Sequence, residues 1–169
     1  MRTIRKCLEW VAFADGELPE EDRALRDAAL EAVGRAWATS SKFRVGAAVR
    51  LEDGSVIAGC NQENNAYPSG ICAERCALFA AGAEKPDVAP VALALIAVYK
   101  GEVVDSPSPC GACRQVMMQV EERYGKPLRT LLCGKGETVV VPSVRDLMPL
   151  WGGLELDTDD GGEKQEQEG

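Results

Sequence analysis

Along the first fifteen residues, Ile4, Leu8, Trp10 and Ala12 fall on one parity, the two-residue repeat of a half-buried strand. Arg2, Arg5 and Lys6 ahead of this short apolar segment, with Ala12-Phe13-Ala14 behind it, imitate a secretion signal, but Glu9 interrupts it and the strand is the better reading. Asp15-Gly16 breaks the repeat. Pro19-Glu20-Glu21-Asp22 then predicts a proline-started, acidic first helical turn. To about Ala38 the period is helical: Leu25, Ala28, Ala29, Ala32 and Ala36 share a face, while Arg23, Arg26, Asp27 and Glu31 can face water.

Phe43 to Leu51 and Val56 to Cys60 are apolar runs around Glu52-Asp53-Gly54-Ser55, a strong hairpin signal, so these two strands should pair antiparallel. A polar, turn-rich stretch leads to an Ala-rich helical segment from Cys72 to about Ala83. Val91 to Tyr99 is continuously apolar, as a central strand covered on both faces requires. The loop Ser106-Pro107-Ser108-Pro109 opens a helix from about Cys110 to Tyr124, with Val116, Met117 and Val120 turned inward. Leu128 to Cys133 and Glu137 to Val141 form a second hairpin around Gly134-Lys135-Gly136, and a short helix at Ser143 to Met148 closes the pattern. Strands alternating with helices in the middle need crossover connections, which predicts an α/β fold with one mixed sheet and helices on both faces.

At 169 residues the chain fits one domain. Residues 1–154 read as that domain, with 1–18 an extension that supplies an extra strand. Seven of the acids, against a single lysine, crowd into 155–169, which reads as a disordered, solvating acidic tail. The formal net charge of -8 disfavours a nucleic-acid backbone or an anionic membrane as partner. Hydrophobic residues at 46%, with no long apolar run, leave no candidate membrane span. Seven cysteines, an odd number, do not form a disulfide framework and point to a reducing, cytoplasmic setting.

Histidine is absent. That removes Ser-His-Asp and Cys-His nucleophiles and every imidazole metal site, so a catalytic metal must sit on thiolates or carboxylates. Two segments carry such groups: Cys72-Ala73-Glu74-Arg75-Cys76 and Pro109-Cys110-Gly111-Ala112-Cys113-Arg114-Gln115. Each lies where a loop turns into a helix, and the dipole and free N–H groups of a helix start favour thiolate. Cys110-x-x-Cys113 alone suits a redox pair or a zinc knuckle. With Cys72 and Cys76 added, four sulfurs would make a closed, structural zinc site. With Cys72, Cys110 and Cys113 only, a fourth position stays open for water, and Glu74 beside it can carry protons.

The ordered motifs Ser41 to Ala48, Asn61 to Arg75 and Pro109 to Gln115 closely resemble those of the cytidine deaminase family, in its small homotetrameric branch with an all-cysteine zinc site. The resemblance spans about Leu25 to Pro149 and implies a three-layer α/β/α fold around a mixed sheet of about five strands. It implies one zinc per subunit on Cys72, Cys110 and Cys113, with Glu74 as proton shuttle. This arrangement is itself a documented pattern for zinc deaminases. It further implies that Asn61 and Glu63 hold the ribose hydroxyls, Phe43 lines the nucleoside pocket, Ala73 contacts the base through its backbone, and Tyr67 sits near the sugar and the subunit contacts. The implied reaction converts cytidine and deoxycytidine to uridine and deoxyuridine plus ammonia, in pyrimidine salvage, at active sites near subunit interfaces.

Each role has a plainer alternative: Phe43 as core packing, Asn61 and Glu63 as turn organisers, Glu74 as a favourable charge at a helix start. Three thiolates on a divalent metal leave a negative charge that opposes deprotonating water, and Arg75 is placed to compensate it by donating to the sulfurs. Asn65-Ala66 and Pro68-Ser69-Gly70 depart from the family pattern and bear on pocket shape. Trp151 stands where the family suggests a phenylalanine reaching a neighbouring site. The competing functions are deamination of another aminopyrimidine nucleoside, such as a blasticidin-type antibiotic, and a non-enzymatic zinc module with Cys76 as fourth ligand.

Overall fold

The computed structural model describes residues 2, 3 and 5–150, so the readings of Ile4, Trp151 and the acidic tail lie outside the described residues. The elements in chain order are β1 (Val11–Ala14), α1 (Glu20–Val33), β2 (Phe43–Leu51), β3 (Val56–Cys60), α2 (Ala73–Glu84), β4 (Pro90–Tyr99), β5 (Glu102–Val103), α3 (Gly111–Tyr124), β6 (Arg129–Cys133) and β7 (Glu137–Val141). They build one mixed sheet in the order β1-β7-β6-β4-β2-β3, with β5 paired to the end of β4. Only β4 and β6 are parallel neighbours; the other pairs are antiparallel.

The alternation of side chains explains the three layers. In β2 and β4, Ala47, Val49, Leu51, Leu93 and Leu95 turn to one face, where they pack with Ala77 and Leu78 of α2 and Met117 and Met118 of α3. Ala48, Ala92, Ala94 and Ile96 turn to the other and meet Leu25, Ala29 and Val33 of α1. The continuous apolar run of β4 is therefore what coverage on both faces demands.

The sheet has seven strands where about five were expected. Of the two beyond five, β1 is the extra strand predicted for the N-terminal extension; the unforeseen one is the two-residue β5, which folds back on β4 after Lys100 and Gly101, both at positive φ. The first strand is also later and shorter than its alternation suggested: Leu8 and Trp10 are exposed and β1 begins at Val11. Helix α1 stops at Val33 instead of running to Ala38. Arg44 donates to the carbonyls of Val33 (3.1 Å) and Gly34 (2.6 Å), capturing acceptors the next turn would need. The chain then extends beside Asn61–Glu63, with Trp37 N–H bonded to the Asn61 carbonyl at 2.9 Å. The predicted last helix is a single 3-10 turn, Val144–Asp146.

Two buried carboxylates tie the layers. Asp22 in the first turn of α1 accepts from both terminal nitrogens of Arg129 on β6, at 2.5 and 2.6 Å. Glu121 of α3 accepts from the N–H groups of Leu128 (2.7 Å) and Val144 (2.8 Å) and from the Ser143 hydroxyl (3.0 Å).

This topology fixes where chemistry can occur. β3 and β4 both run antiparallel to β2, so their C-terminal ends lie at the same end of the sheet, and α2 and α3 begin there. Helix α2 lies close on β3 because Gly59 has no side chain: a Cβ there would come within 2.5 Å of the Ala77 backbone nitrogen.

Candidate metal centre and active site

Cys72 is the residue that caps the start of α2, Cys110 caps the start of α3, and Cys113 follows within the first turn of α3. Their sulfur atoms all lie within 4.8 Å of one another, with Cys72 to Cys110 at 3.9 Å and Cys110 to Cys113 at 3.5 Å. A tetrahedral zinc with bonds of about 2.3 Å sets two thiolate sulfurs roughly 3.8 Å apart, so this donor set fits zinc in spacing and softness. Cys76 is not in the group, which leaves three protein ligands rather than four and removes the basis for a closed structural site.

The electrostatics of the cluster favour anionic sulfur at Cys72. The thiol of Cys72 is held well below the usual cysteine range, first by its hydrogen bond with Cys113 and then by Arg75 and Cys110. The Cys113 thiol is pushed up by the same bond to Cys72 and by burial. Arg75 brings a terminal guanidinium nitrogen to 3.7 Å from the Cys72 sulfur. Glu74, one residue before it, is 3% exposed, and burial pushes its carboxyl above the ordinary glutamate range.

Beside the sulfurs a cavity of about 740 Å³ is lined by Glu74, Cys72 and Cys110 together with Phe43, Val45, Asn61, Leu95, Ala97 and Ser108. Its volume suits a small molecule. The groove between α2 and α3 around Phe79 holds no metal-ligating cluster among the described residues.

The structure places the remaining sequence-derived residues unevenly. Phe43 is 39% exposed and faces the cavity, so it is not a core residue. Asn61 lines the cavity while its side-chain amide accepts from Val45 N–H (2.8 Å) and donates to the Phe43 carbonyl (2.9 Å). Glu63 lies outside the cavity lining and accepts from the N–H groups of Ser40 (2.7 Å) and Ser41 (3.3 Å); the Ser41 side chain first, and then these N–H groups, hold its carboxyl below the usual range. Ala73 is fully buried at the first turn of α2. Tyr67, on a 3-10 turn at Tyr67–Ser69, is 80% exposed and away from the cavity. Sequence reasoning missed the wall formed by Val104 and Ser106–Ser108; the proline spacing before Cys110 was the signal for it.

A family model described as the cytidine and deoxycytidylate deaminase zinc-binding region matches residues 19–124. The chain belongs to this family. A cytidine deaminase of Halalkalibacterium halodurans is 48% identical over 93 residues, covering 54% of this chain and 66% of that protein. The cytidine deaminase of Mycobacterium tuberculosis strain H37Rv is 39% identical over 106 residues, 60% of this chain and 74% of the relative. The match thus spans just under two thirds of the first of these relatives. A crystal structure of cytidine deaminase from Burkholderia pseudomallei superposes with a TM-score of 0.65 at 38% identity, over 76% of this chain and 97% of the other. The zinc-binding family model and the cluster of three cysteine sulfurs together support zinc as the cofactor. No helix among the described residues is long and apolar enough to cross a membrane.

Proposed function

We propose that this protein catalyses the zinc-dependent hydrolytic deamination of cytidine and deoxycytidine to uridine and deoxyuridine, releasing ammonia, in pyrimidine salvage. The observation that carries the reading is a cluster of three cysteine sulfurs, of which Cys72 and Cys110, together with the buried carboxylate Glu74, line a single nucleoside-sized cavity.

Cys72, Cys110 and Cys113 would hold zinc, one ion per subunit. Bound there, zinc supplies Lewis acidity that brings the pKa of water from about 15.7 toward about 7. Glu74 takes a proton from the attacking water, delivers it to N3 of the cytosine ring, and then carries a proton to the departing amino group. A carboxyl whose pKa is raised by burial takes up a proton more readily than an ordinary glutamate, which suits a group that must both accept and return one. Arg75 withdraws charge from the Cys72 sulfur and so offsets the negative sum of three thiolates.

Phe43 offers an aromatic wall to the nucleoside, and the Ala73 backbone lies beside the base. Asn61 keeps an unused N–H and a second acceptor lone pair for a ribose hydroxyl after its two backbone bonds. The carboxylate of Glu63 has about four acceptor sites, so serving Ser40 and Ser41 still leaves room for the sugar. Tyr67 and Phe79 are large and exposed in the single chain, which supports a homotetramer with Tyr67 at a subunit contact near the active site. The odd number of cysteines supports a cytoplasmic location.

The test is chromatographic identification of product, with ammonia assayed, after incubating zinc-loaded protein with each nucleoside, alongside sedimentation of the same sample. Uridine and deoxyuridine from a tetrameric species are expected. A zinc-loaded protein that leaves both nucleosides intact overturns the reading.

A further inference from the structure

One part of the cavity wall is a strap, Val104 to Cys110, that contributes Val104, Ser106, Pro107 and Ser108 to the lining and ends in Cys110 of the sulfur cluster. It has no regular secondary structure after β5, so its position depends on what grips it. At its near end the Asp105 carbonyl packs directly against Gly134, where a Cβ could not fit, and the Val104 carbonyl accepts from Lys135 N–H at 3.1 Å. At its far end Cys110 meets the other two sulfurs, and Arg114 holds the two residues before it, Ser108 and Pro109.

Arg114 divides its guanidinium among three acceptors: the Pro109 carbonyl (2.9 Å, from Nε), the Ser108 hydroxyl oxygen (3.0 Å) and the Leu147 carbonyl (3.1 Å). A planar fork serving three acceptors fixes geometry in a way that a lysine, a single point of charge, does not. The third bond reaches beyond the site. Leu147 follows the Val144–Asp146 turn, which buried Glu121 anchors through Val144 N–H and Ser143. The strap is thus braced, through Arg114, on a segment that lies after the last strand.

We infer that Arg114 is a positioning residue for substrate and metal alike, setting the Ser106–Cys110 strap that walls the nucleoside cavity and carries one zinc ligand. This rests on the proposed deaminase reading for its kinetic part alone. Arg114 does not line the cavity, so it acts through the strap. Removing it leaves the rest of the wall in place, and the loss falls on nucleoside binding and on retention of the metal.

The test compares the parent with Arg114→Ala, Arg114→Lys and Ser108→Ala by two readouts: steady-state kinetics with cytidine, and the rate at which zinc passes to an excess of a chromogenic chelator. For Arg114→Ala the expected result is a KM raised tenfold or more with a smaller change in kcat, and zinc release at least several-fold faster. Arg114→Lys should recover part of each effect. Ser108→Ala, which removes one of the three bonds, keeps the protein testable if Arg114→Ala does not fold, and should raise KM two- to threefold. Parental KM and parental zinc release in both Arg114→Ala and Ser108→Ala overturn the inference, as does a purely thermal destabilisation with both readouts unchanged. A parent that binds zinc but is inert on cytidine contradicts the deaminase reading instead, and zinc release then decides Arg114 by itself.

Discussion

Arg75 reaches the sulfur of Cys72 across 3.7 Å, three residues along the same first turn of α2, so the helix start that carries the proposed metal ligand also carries a cation beside it. A neighbour of this kind orients the sulfur and withdraws charge from it, and losing such a partner costs about 10- to 100-fold in metal affinity or activity. Arg75→Gln is therefore expected to keep the fold and most of its zinc while turnover falls by about that factor. Parental turnover at full zinc content would remove Arg75 from the account.

The ligand set predicts a clean division among cysteines. Cys72→Ser, Cys110→Ser and Cys113→Ser should each lose most of the bound zinc, whereas Cys76→Ser, outside the sulfur group, should retain it. Atomic absorption on the four purified variants checks this. Zinc lost from Cys76→Ser and kept by Cys72→Ser would redraw the site.

Thiol chemistry gives a second view of the same cluster. Cys7 is exposed, while burial pushes the Cys133 thiol up to about 12. Alkylation at mildly alkaline pH should therefore modify Cys7 quickly and spare Cys133, because the reactive form is the thiolate and Cys133 stays protonated until pH approaches its raised value. Stripping zinc should add Cys72 and Cys110 to the modified set, read by peptide mass spectrometry. Rapid modification of Cys133 in the folded protein would contradict its placement.

Stability away from the cavity rests in part on Asp22, whose fully buried carboxylate accepts both nitrogens of Arg129. Removing one partner of such a pair strands the other, at a cost of about 3 kcal/mol. Asp22→Ala is expected to lower the denaturant midpoint accordingly while leaving KM for cytidine at the parental value, since neither residue lines the cavity. An unchanged midpoint would show the pair to be inconsequential.

Much of this was legible in the sequence because local signals agreed with the global fold. Asp53-Gly54 gave the β2–β3 hairpin, the unbroken run at 91–99 gave the central strand, and the two cysteine segments marked both helix starts. What pattern could not supply came from contacts distant along the chain. Helix α1 ends early because Arg44, eleven residues after Val33, takes its carbonyl, and β1 is short because only Val11–Ala14 finds β7 to pair with. The proposed ribose residues Asn61 and Glu63 already serve the backbone of β2 and of Ser40 and Ser41, which a spacing argument alone could not foresee. Tyr67 is exposed in the single chain, on a short turn whose place no spacing argument could fix.

The central claim is that Glu74, buried at 3% exposure beside the three sulfurs, moves the protons of a nucleoside deamination. It is tested most directly by following the loss of cytosine ultraviolet absorbance with the parent and with Glu74→Gln, both assayed for zinc and for fold. The account predicts turnover by the parent and a decrease of about 100- to 10,000-fold in Glu74→Gln at unchanged zinc content. A Glu74→Gln protein that holds its zinc and turns over like the parent would contradict it.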